Sequence, residues 1–255
     1  MRRVWRRSMR KIDKSIFTRV NYAHRGLHDI ANGIPENSVA AFSLSAEAGY
    51  GTEFDIQLSK DGQVVVFHDD DLKRVCGVDA RVDSLDYDEL KKLRLLGTDE
   101  HIPLFTEVLD IFRGTKAPLI VELKTGRRND ELCDKAIEIL AGFEGNFCIE
   151  SFNPFIVDRF RKKAPHICRG QLASEISDYI PGQKKIVASL LSSCRFSFLN
   201  KPDFIAYKNV PLPKHVRGLL KKGTMLFTWT SREPDVDQKY SDGVIFENYR
   251  PTPKY

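Results

Sequence analysis

Residues 118–124 read PLIVELK and residues 63–68 read QVVVFH, two short apolar runs in which polar and apolar residues do not strictly alternate. Such runs are typical of strands that are buried on both faces of a parallel sheet. From residue 19 onward, similar runs alternate with helical patterns, which indicates consecutive βαβ units. Over a chain of 255 residues, this alternation favours an α/β fold of the (β/α)₈ TIM barrel type over an open doubly wound sheet.

The pattern gives one candidate strand more than an eight-stranded barrel needs. The link LSKDG after the second run is too short for a crossover helix, so either one run forms a side hairpin or the chain returns there without a helix. The candidate strands are 19–24, 51–57, 63–68, 118–124, 146–151, 166–171, 203–207, 224–229 and 242–247. The candidate helices are 38–48, 86–96, 105–113, 129–141, 154–163, 184–191 and 213–221. We predict a barrel domain over residues 19–255, with a small helical insertion at about residues 70–115 after the third strand.

Positive charge is concentrated in the first 14 residues, which hold seven of the 40 Lys and Arg residues and one of the 35 Asp and Glu residues. The rest of the chain is close to neutral, so we expect no nucleic-acid partner. No apolar run is long enough to span a bilayer and no apolar region follows the basic start, so we expect a cytoplasmic protein. The five cysteines have neither disulfide nor zinc-finger spacing, and we expect free thiols.

Residues 1–18 form a basic segment with an amphipathic pattern, in which Trp5, Met9, Ile12 and Ile16 recur at helical spacing. Two interpretations remain open. Residues 1–16 make a weak contact with an anionic membrane surface, or a short helix packs its apolar stripe against the barrel and leaves its arginines in solvent.

Polar residues fall where the first four candidate strands end. In a (β/α)₈ barrel the active site lies at the C-terminal ends of the strands, and these ends meet at one mouth. We therefore expect two imidazoles, three carboxylates and two cations to converge there. These residues are His24, Arg25, Glu53, Asp55, His68, Glu122 and Lys124.

The carboxylates indicate a metal site. Glu53 and Asp55 are two residues apart on one strand, so both point to the same face, where they repel each other unless a cation lies between them. With Glu122 they offer three hard oxygen ligands, which suit Mg²⁺ or Ca²⁺ better than zinc. The alternative is an ion pair of these carboxylates with Arg25 or Lys124.

The remaining residues fit phosphoryl chemistry. His24 and His68 together supply an acid and a base that titrate near neutral pH. Arg25 can hold a phosphate oxygen through its planar guanidinium, and Lys124 can add a point charge.

Ordered motifs over residues 22 to about 250 resemble the glycerophosphodiester phosphodiesterase family. The two longest are AHRGLHD at residues 23–29 and GIPENSVAAFSLSAEAGYGTEFDIQLSKDGQVVVFHDDDLKR at residues 33–74. The matching elements are His24-Arg25-Gly26, Pro35-Glu36-Asn37, Glu53-x-Asp55, Lys60-Asp61-Gly62, His68-Asp69, Val121-Glu122-Leu123-Lys124, Ser151-Phe152, Trp229-Thr230 and Asp242-Gly243.

The resemblance implies a (β/α)₈ barrel that hydrolyses a small-molecule glycerophosphodiester to glycerol 3-phosphate and an alcohol. It implies one divalent cation held by Glu53, Asp55 and Glu122, and a catalytic pair of His24 and His68. Arg25 and Lys124 would bind the phosphate, and Phe152 and Trp229 would line the pocket, where their rings can pack on the glycerol carbons.

Two more acidic residues lie close to these motifs. Glu36 lies close to the end of the first strand and is a further candidate near the substrate, while Asn37 or Ser38 can cap the following helix. The last motif ends Phe246-Glu247-Asn248, where many members carry Thr-Asp, and this argues against a role for Glu247.

The poorly matched insertion leaves the choice of substrate open. Two other functions remain: a lysophospholipase D that cleaves a lipid phosphodiester at a membrane surface, and a barrel that binds phosphoesters without turnover. The sequence does not determine the oligomeric state.

Overall fold

Eight parallel strands close into a barrel in the computed structural model, which describes residues 12–233 and 241–252. Neighbouring strands follow the order β1-β2-β4-β5-β6-β7-β8-β9, and β9 pairs with β1 to close the barrel. The strands are β1 (Val20–His24), β2 (Gly51–Leu58), β3 (Val64–Val66), β4 (Leu119–Leu123), β5 (Phe147–Ser151), β6 (Cys168–Ala173), β7 (Phe204–Lys208), β8 (Met225–Ser231) and β9 (Gly243–Phe246). The (β/α)₈ barrel prediction is confirmed.

Helices connect the strands and cover the outside of the barrel. They are α1 (Val39–Ala48), α2 (Lys73–Cys76), α3 (Tyr87–Leu90), α4 (Phe105–Ile111), α5 (Asn129–Leu140), α6 (Pro154–Lys163), α7 (Ile176–Tyr179), α8 (Lys185–Ser192), α9 (Ser197–Asn200) and α10 (Lys214–Leu220). Short 3₁₀ turns lie at Lys14–Phe17, Ile30–Asn32, Val82–Ser84 and Leu95–Gly97. None of the described helices is both long and apolar enough to cross a membrane.

Aromatic rings fill the lower part of the barrel interior. Phe204 and Phe227 stack with ring centroids 4.4 Å apart, and Tyr22 lies 5.7 Å from Phe227. Glycine makes room for these rings, because a Cβ on Gly51 would lie 2.6 Å from the Tyr22 ring. Interior positions nearer the C-terminal ends of the strands are polar instead. The packed rings therefore form a floor beneath a polar mouth.

The surplus strand is the side hairpin that the short link allowed. β3 pairs antiparallel with β2 and lies outside the barrel. His68 follows β3 by two residues rather than ending it. The helical insertion then begins, and its apolar side chains form a separate cluster that includes Leu72, Leu90 and Leu95.

The predicted helix over residues 86–96 is wrong for its second half. Asp86 and Glu89 form a capping box that starts α3, but α3 ends at Leu90. Arg94 instead pairs with His101 in an antiparallel bridge, and Leu96 has a left-handed φ of 50°. The turn buries Leu95 in the insertion core, so tertiary packing overrides the local helical pattern.

The described start of the chain packs on the end of the barrel opposite the mouth. Ile12 and Ile16 contact the interior cluster. The Lys14 ammonium donates to the carbonyl oxygens of Asp203 at 3.4 Å and Gly223 at 3.2 Å, two residues that precede β7 and β8. Trp5 and Met9 lie outside the described residues. Ile12 and Ile16 therefore pack against the barrel, as the second interpretation expects. Ile16 lies in the 3₁₀ turn Lys14–Phe17 rather than in an α-helix, and Ile12 precedes that turn.

Candidate active site

Strand register brings three carboxylates together at the mouth. His24 on β1 is level with Glu53 on β2, and Asp55 on β2 is level with Glu122 on β4. One oxygen of each of Glu53, Asp55 and Glu122 can be chosen so that all three lie within 4.8 Å of one another. All three residues are buried. The sequence-predicted carboxylate cluster therefore exists as a spatial unit.

Crowding changes the proton affinity of these carboxyls. Burial, with Asp55 and Glu122 adding to it, raises the pKa of Glu53 well above its usual value. Burial likewise raises the pKa of Glu122, against the opposing charge of Lys124. Burial alone would raise the pKa of Asp55, but Lys124, His68 and Arg25 together lower it. A further positive charge nearby would therefore favour the ionised forms of Glu53 and Glu122.

The ion pairs considered as the alternative to a metal also form. The Lys124 Nζ lies 3.0 Å from Glu122 Oε1 and 3.3 Å from Asp55 Oδ1, and the Arg25 Nε lies 3.7 Å from Asp55 Oδ2. The charges of these two cations do not neutralise all the carboxyl groups of the site. Glu150, on β5 level with Glu122, is a fourth buried carboxyl, and its Oε2 has no hydrogen-bond partner among residues 12–233 and 241–252.

The donor set fits a hard divalent cation. Its carboxylate oxygens are buried and close together, and Glu53 accepts a hydrogen bond only from the Arg25 backbone N–H, at 3.2 Å, among the groups the structure describes. Oxygen ligands of this kind suit Mg²⁺ or Ca²⁺.

Each of the two histidines is held by a carboxylate. His24 Nδ1 lies 2.7 Å from Glu247 Oε2, and His24 Nε2 lies 3.9 Å from Glu53 Oε2. Burial lowers the pKa of His24, while the hydrogen bond to Glu247 opposes this shift. His68 Nδ1 lies 2.6 Å from Asp69 Oδ1. In both rings a bonded Nδ1 leaves Nε2 free for chemistry.

Arginines hold those carboxylates in turn. Arg232 Nε donates to Glu247 Oε1 at 2.8 Å. Arg74, from α2 in the insertion, donates to Asp69 Oδ2 at 2.6 Å and makes two bonds to Glu36, at 2.7 and 2.9 Å. Two linked sets of charged groups therefore support the histidines.

Glu36 connects Arg74 and Asp69 to Arg25, one of the two residues predicted to bind the phosphate. It accepts a hydrogen bond from Arg25 Nη1 at 2.8 Å. Arg25 itself has a left-handed φ of 53° and is followed by Gly26, whose φ is 80°. A Cβ on Gly26 would lie 2.9 Å from the Ala41 Cβ, so glycine permits this tight turn against α1. The turn aims Arg25 at both Glu36 and Asp55.

The two aromatic candidates meet at the mouth. Phe152, just after β5, and Trp229, in β8, have ring centroids 5.7 Å apart in a T-shaped contact. Tyr179 on α7 extends this wall, with its ring 6.2 Å from that of Phe152. Both predicted pocket residues therefore lie on one apolar side of the mouth.

Sequence reasoning missed or discounted three residues of this site. Glu247 bonds His24 even though its motif departs from the usual pattern. Asn37 does not cap α1, because Ser38 does so by accepting from the Ala41 N–H; the Asn37 Nδ2 instead donates to Asp55 Oδ2 at 3.0 Å. Glu150 was overlooked, although its place just before Ser151-Phe152 in a buried strand was a usable signal.

A family model described as the glycerophosphoryl diester phosphodiesterase family matches residues 24–245. The chain belongs to this family. It is 32% identical over 236 residues to a glycerophosphodiester phosphodiesterase of Caldanaerobacter subterraneus subsp. tengcongensis, covering 87% of this chain and 90% of that protein. The prediction of a phosphoric diester hydrolase is thus confirmed at the level of the family.

A solved structure supports the same assignment. The glycerophosphodiester phosphodiesterase of Thermotoga maritima is 28% identical, with a TM-score of 0.66, covering 89% of this chain and 93% of that chain. A phosphodiesterase of Oleispira antarctica, solved with the product sn-glycerol-3-phosphate, superposes with a TM-score of 0.74 at 24% identity, covering 90% of this chain and 93% of that chain. At that identity the second likeness concerns the fold alone.

Proposed function

We propose that this member of the family hydrolyses glycerophosphodiesters to glycerol 3-phosphate and an alcohol, with His24 and His68 as its acid–base pair. The observation that carries the proposal is that two carboxylate-held imidazoles lie beside one cluster of buried carboxyls. His24 Nε2 lies 3.9 Å from Glu53 Oε2, and the charge of His68 helps to lower the pKa of Asp55. A barrel that only binds phosphoesters has no need for such a pair.

Glu53, Asp55 and Glu122 would hold one divalent cation, Mg²⁺ or Ca²⁺. When bound, the cation supplies Lewis-acid polarisation of the phosphate and a template for its orientation. Arg25 and Lys124, which already face the carboxylates, orient the phosphate oxygens by hydrogen bonds and charge. Phe152 and Trp229 pack on the glycerol carbons.

His24 acts as the base in this proposal. Because its pKa is lowered, the ring is neutral at pH 7, and Glu247 accepts the Nδ1–H. The Nε2 lone pair then takes the proton of the nucleophile. The nucleophile is either the neighbouring glycerol hydroxyl, which gives a cyclic phosphate that water later opens, or water directly. Intramolecular attack has the entropic advantage.

His68 acts as the acid. Asp69 accepts the hydrogen bond from Nδ1, which leaves Nε2–H to protonate the departing alcohol oxygen as its bond to phosphorus breaks. If a cyclic phosphate forms, the two histidines exchange roles in the second step. The insertion of about residues 70–115 follows His68 and shapes the side of the mouth where the alcohol leaves.

The test is a release assay over several glycerophosphodiesters, including glycerophosphocholine and glycerophosphoethanolamine, with glycerol 3-phosphate as the measured product. We expect activity to disappear in EDTA and to return with Mg²⁺ or Ca²⁺. Calorimetry with each ion should give one binding site that Glu122→Gln weakens. Full activity after prolonged chelation would contradict the metal assignment, and release of a phosphoalcohol with glycerol would contradict the proposed bond cleavage.

A further inference from the structure

Exposed apolar side chains gather on one part of the surface. Among the described residues, eight large hydrophobic side chains are at least 36% exposed, and six of them lie between residues 155 and 198. These six are Phe155, Ile176, Ile180, Ile186, Leu190 and Phe198. We call them the α6–α9 surface. Such a concentration is unusual for a surface that faces only water.

Part of the α6–α9 surface lies beside the mouth. Helix α6 begins just after the C-terminal end of β5 and α7 just after that of β6, whereas α9 leads into the start of β7. Tyr179 on α7 packs on Phe152, which packs on Trp229. Lys208, at the end of β7, bonds Glu175 at 2.8 Å and Asp178 at 2.9 Å. These contacts fix α7 next to the aromatic wall of the mouth.

Helix α8 presents its apolar side chains outward. Ala188 and Ser192 are buried on one face. Ile186 and Leu190, one turn apart, occupy the opposite face, and Ile186 is 78% exposed. Phe198 on α9 is 76% exposed. Large apolar side chains that are this exposed indicate a surface that binds another molecule or a membrane.

Unpaired cations surround these residues. Lys184, Lys185 and Arg195 are exposed, and within the described part of the chain none of the three forms an ion pair with a carboxylate. The acids of α7 are held by Lys208. Lysine is depleted in protein–protein interfaces, whereas apolar side chains flanked by lysine are typical of surfaces that enter the headgroup region of anionic membranes.

We propose that the α6–α9 surface docks on an anionic phospholipid bilayer and places the mouth beside the lipid headgroups. The inference rests on the proposed function in one respect: glycerophosphodiester chemistry is also the chemistry of phospholipid headgroups, so the docked site meets substrate at the surface. The docking itself needs no turnover. The docking does not involve Ile12 or Ile16.

Flotation of the full chain with unilamellar vesicles tests the docking directly. We expect binding to phosphatidylcholine vesicles that contain phosphatidylglycerol, and weak binding to phosphatidylcholine alone. Ile186→Asp/Phe198→Asp should weaken binding by about tenfold or more, since both side chains lose their apolar contact and add negative charge. Lys184→Gln/Lys185→Gln should weaken binding by about fivefold per lysine, only where phosphatidylglycerol is present.

The matched control is Leu96→Asp. Leu96 is also an exposed apolar residue, but it lies in the insertion that leaves the barrel after β2, three strands away from β6. Its left-handed backbone tolerates aspartate. This variant should bind vesicles like the unaltered chain, and Arg6→Glu/Arg7→Glu should retain most of the binding.

Turnover of glycerophosphocholine in vesicle-free buffer separates the two proposals. It should be the same in the Ile186→Asp/Phe198→Asp and Leu96→Asp variants as in the unaltered chain. Absence of vesicle binding with normal turnover overturns the docking alone. Vesicle binding with no turnover of any glycerophosphodiester overturns the function alone. Light scattering tests for a dimer. If the unaltered chain is a dimer and the Ile186→Asp/Phe198→Asp variant is a monomer, the α6–α9 surface binds a second copy and the lipid proposal is overturned.

Discussion

The two histidines of the mouth are supported in opposite ways. His24 and its partner Glu247 are 223 residues apart, and both side chains are less than a fifth exposed. His68 and Asp69 are neighbours in the chain, and the His68 side chain is 31% exposed. The first pair forms only where β1 and β9 meet and close the barrel. The second is local, and the insertion holds it through Arg74.

The barrel therefore holds one of the two histidines, and the insertion holds the other. The His24 pair depends on the closure of the whole barrel, so its geometry should tolerate changes in the insertion. The His68 pair depends on α2, through the bonds that Arg74 makes to Asp69 and Glu36. In the proposed mechanism, the imidazole that meets the leaving alcohol is therefore held by the insertion, and the imidazole that acts as the base is held by the barrel.

The largest expected effect on the rate comes from removing either imidazole. His24→Ala and His68→Ala should each lower kcat by about 10²-fold or more, because each removes one proton-transfer group. The measurement is steady-state release of glycerol 3-phosphate, with circular dichroism as the control for folding. A near-normal rate in either folded variant would show that the ring is not part of the chemistry.

The next largest effect on the rate is expected from the carboxylates that bond the two histidines. Glu247→Gln and Asp69→Asn should each lower kcat by about tenfold with little change in KM, since outer partners fix the tautomer and orientation of a histidine. Glu247→Asp, which keeps a carboxylate on a shorter side chain, should retain more of the rate than Glu247→Gln. Equal losses in kcat and in substrate affinity would instead indicate a general disturbance of the mouth.

Much of this architecture could be predicted because parallel strands leave strong local signals. Apolar runs at 118–124 and elsewhere identified the barrel, and Glu53-x-Asp55 on one strand identified the acidic cluster. The contact of Glu247 with His24 could not be read in this way, because it depends on β9 lying beside β1. The second half of 86–96 has a helical pattern, but packing of Leu95 in the insertion core decides its conformation.

A smaller effect is expected from the arginines. Arg74→Ala should lower kcat/KM by about threefold, and Arg232→Ala by less, because exposed ion pairs contribute little on their own. Arg74 has the larger role because it bonds both Asp69 and Glu36, and Glu36 in turn bonds Arg25. If Arg232→Ala lowers kcat/KM more than Arg74→Ala does, this order is reversed. The pair of His24 and Glu247 would then depend on its arginine more than the pair of His68 and Asp69 does.

The smallest effect is on stability, and it depends on pH. The hydrogen bond from His24 lowers the pKa of Glu247 from 4.5 to about 2. Because the folded value lies below the unfolded one, the ionised carboxylate stabilises the fold fully above about pH 4.5, and this contribution is lost as pH falls through 2. Glu247→Gln should therefore lower the free energy of unfolding by about 1–2 kcal/mol at pH 7.

The lowered pKa of His24 adds a second pH dependence of known sign. A buried ring that resists protonation destabilises the fold as pH falls below 6.5, and more so without Glu247 to oppose the shift. The stability difference between the unaltered chain and Glu247→Gln should thus be largest near pH 5 and shrink toward pH 3. Urea unfolding in EDTA measures it, with Asp69→Asn as the more exposed comparison and a smaller expected difference. A difference that keeps growing below pH 4 would mean that Glu247 is not ionised beside His24.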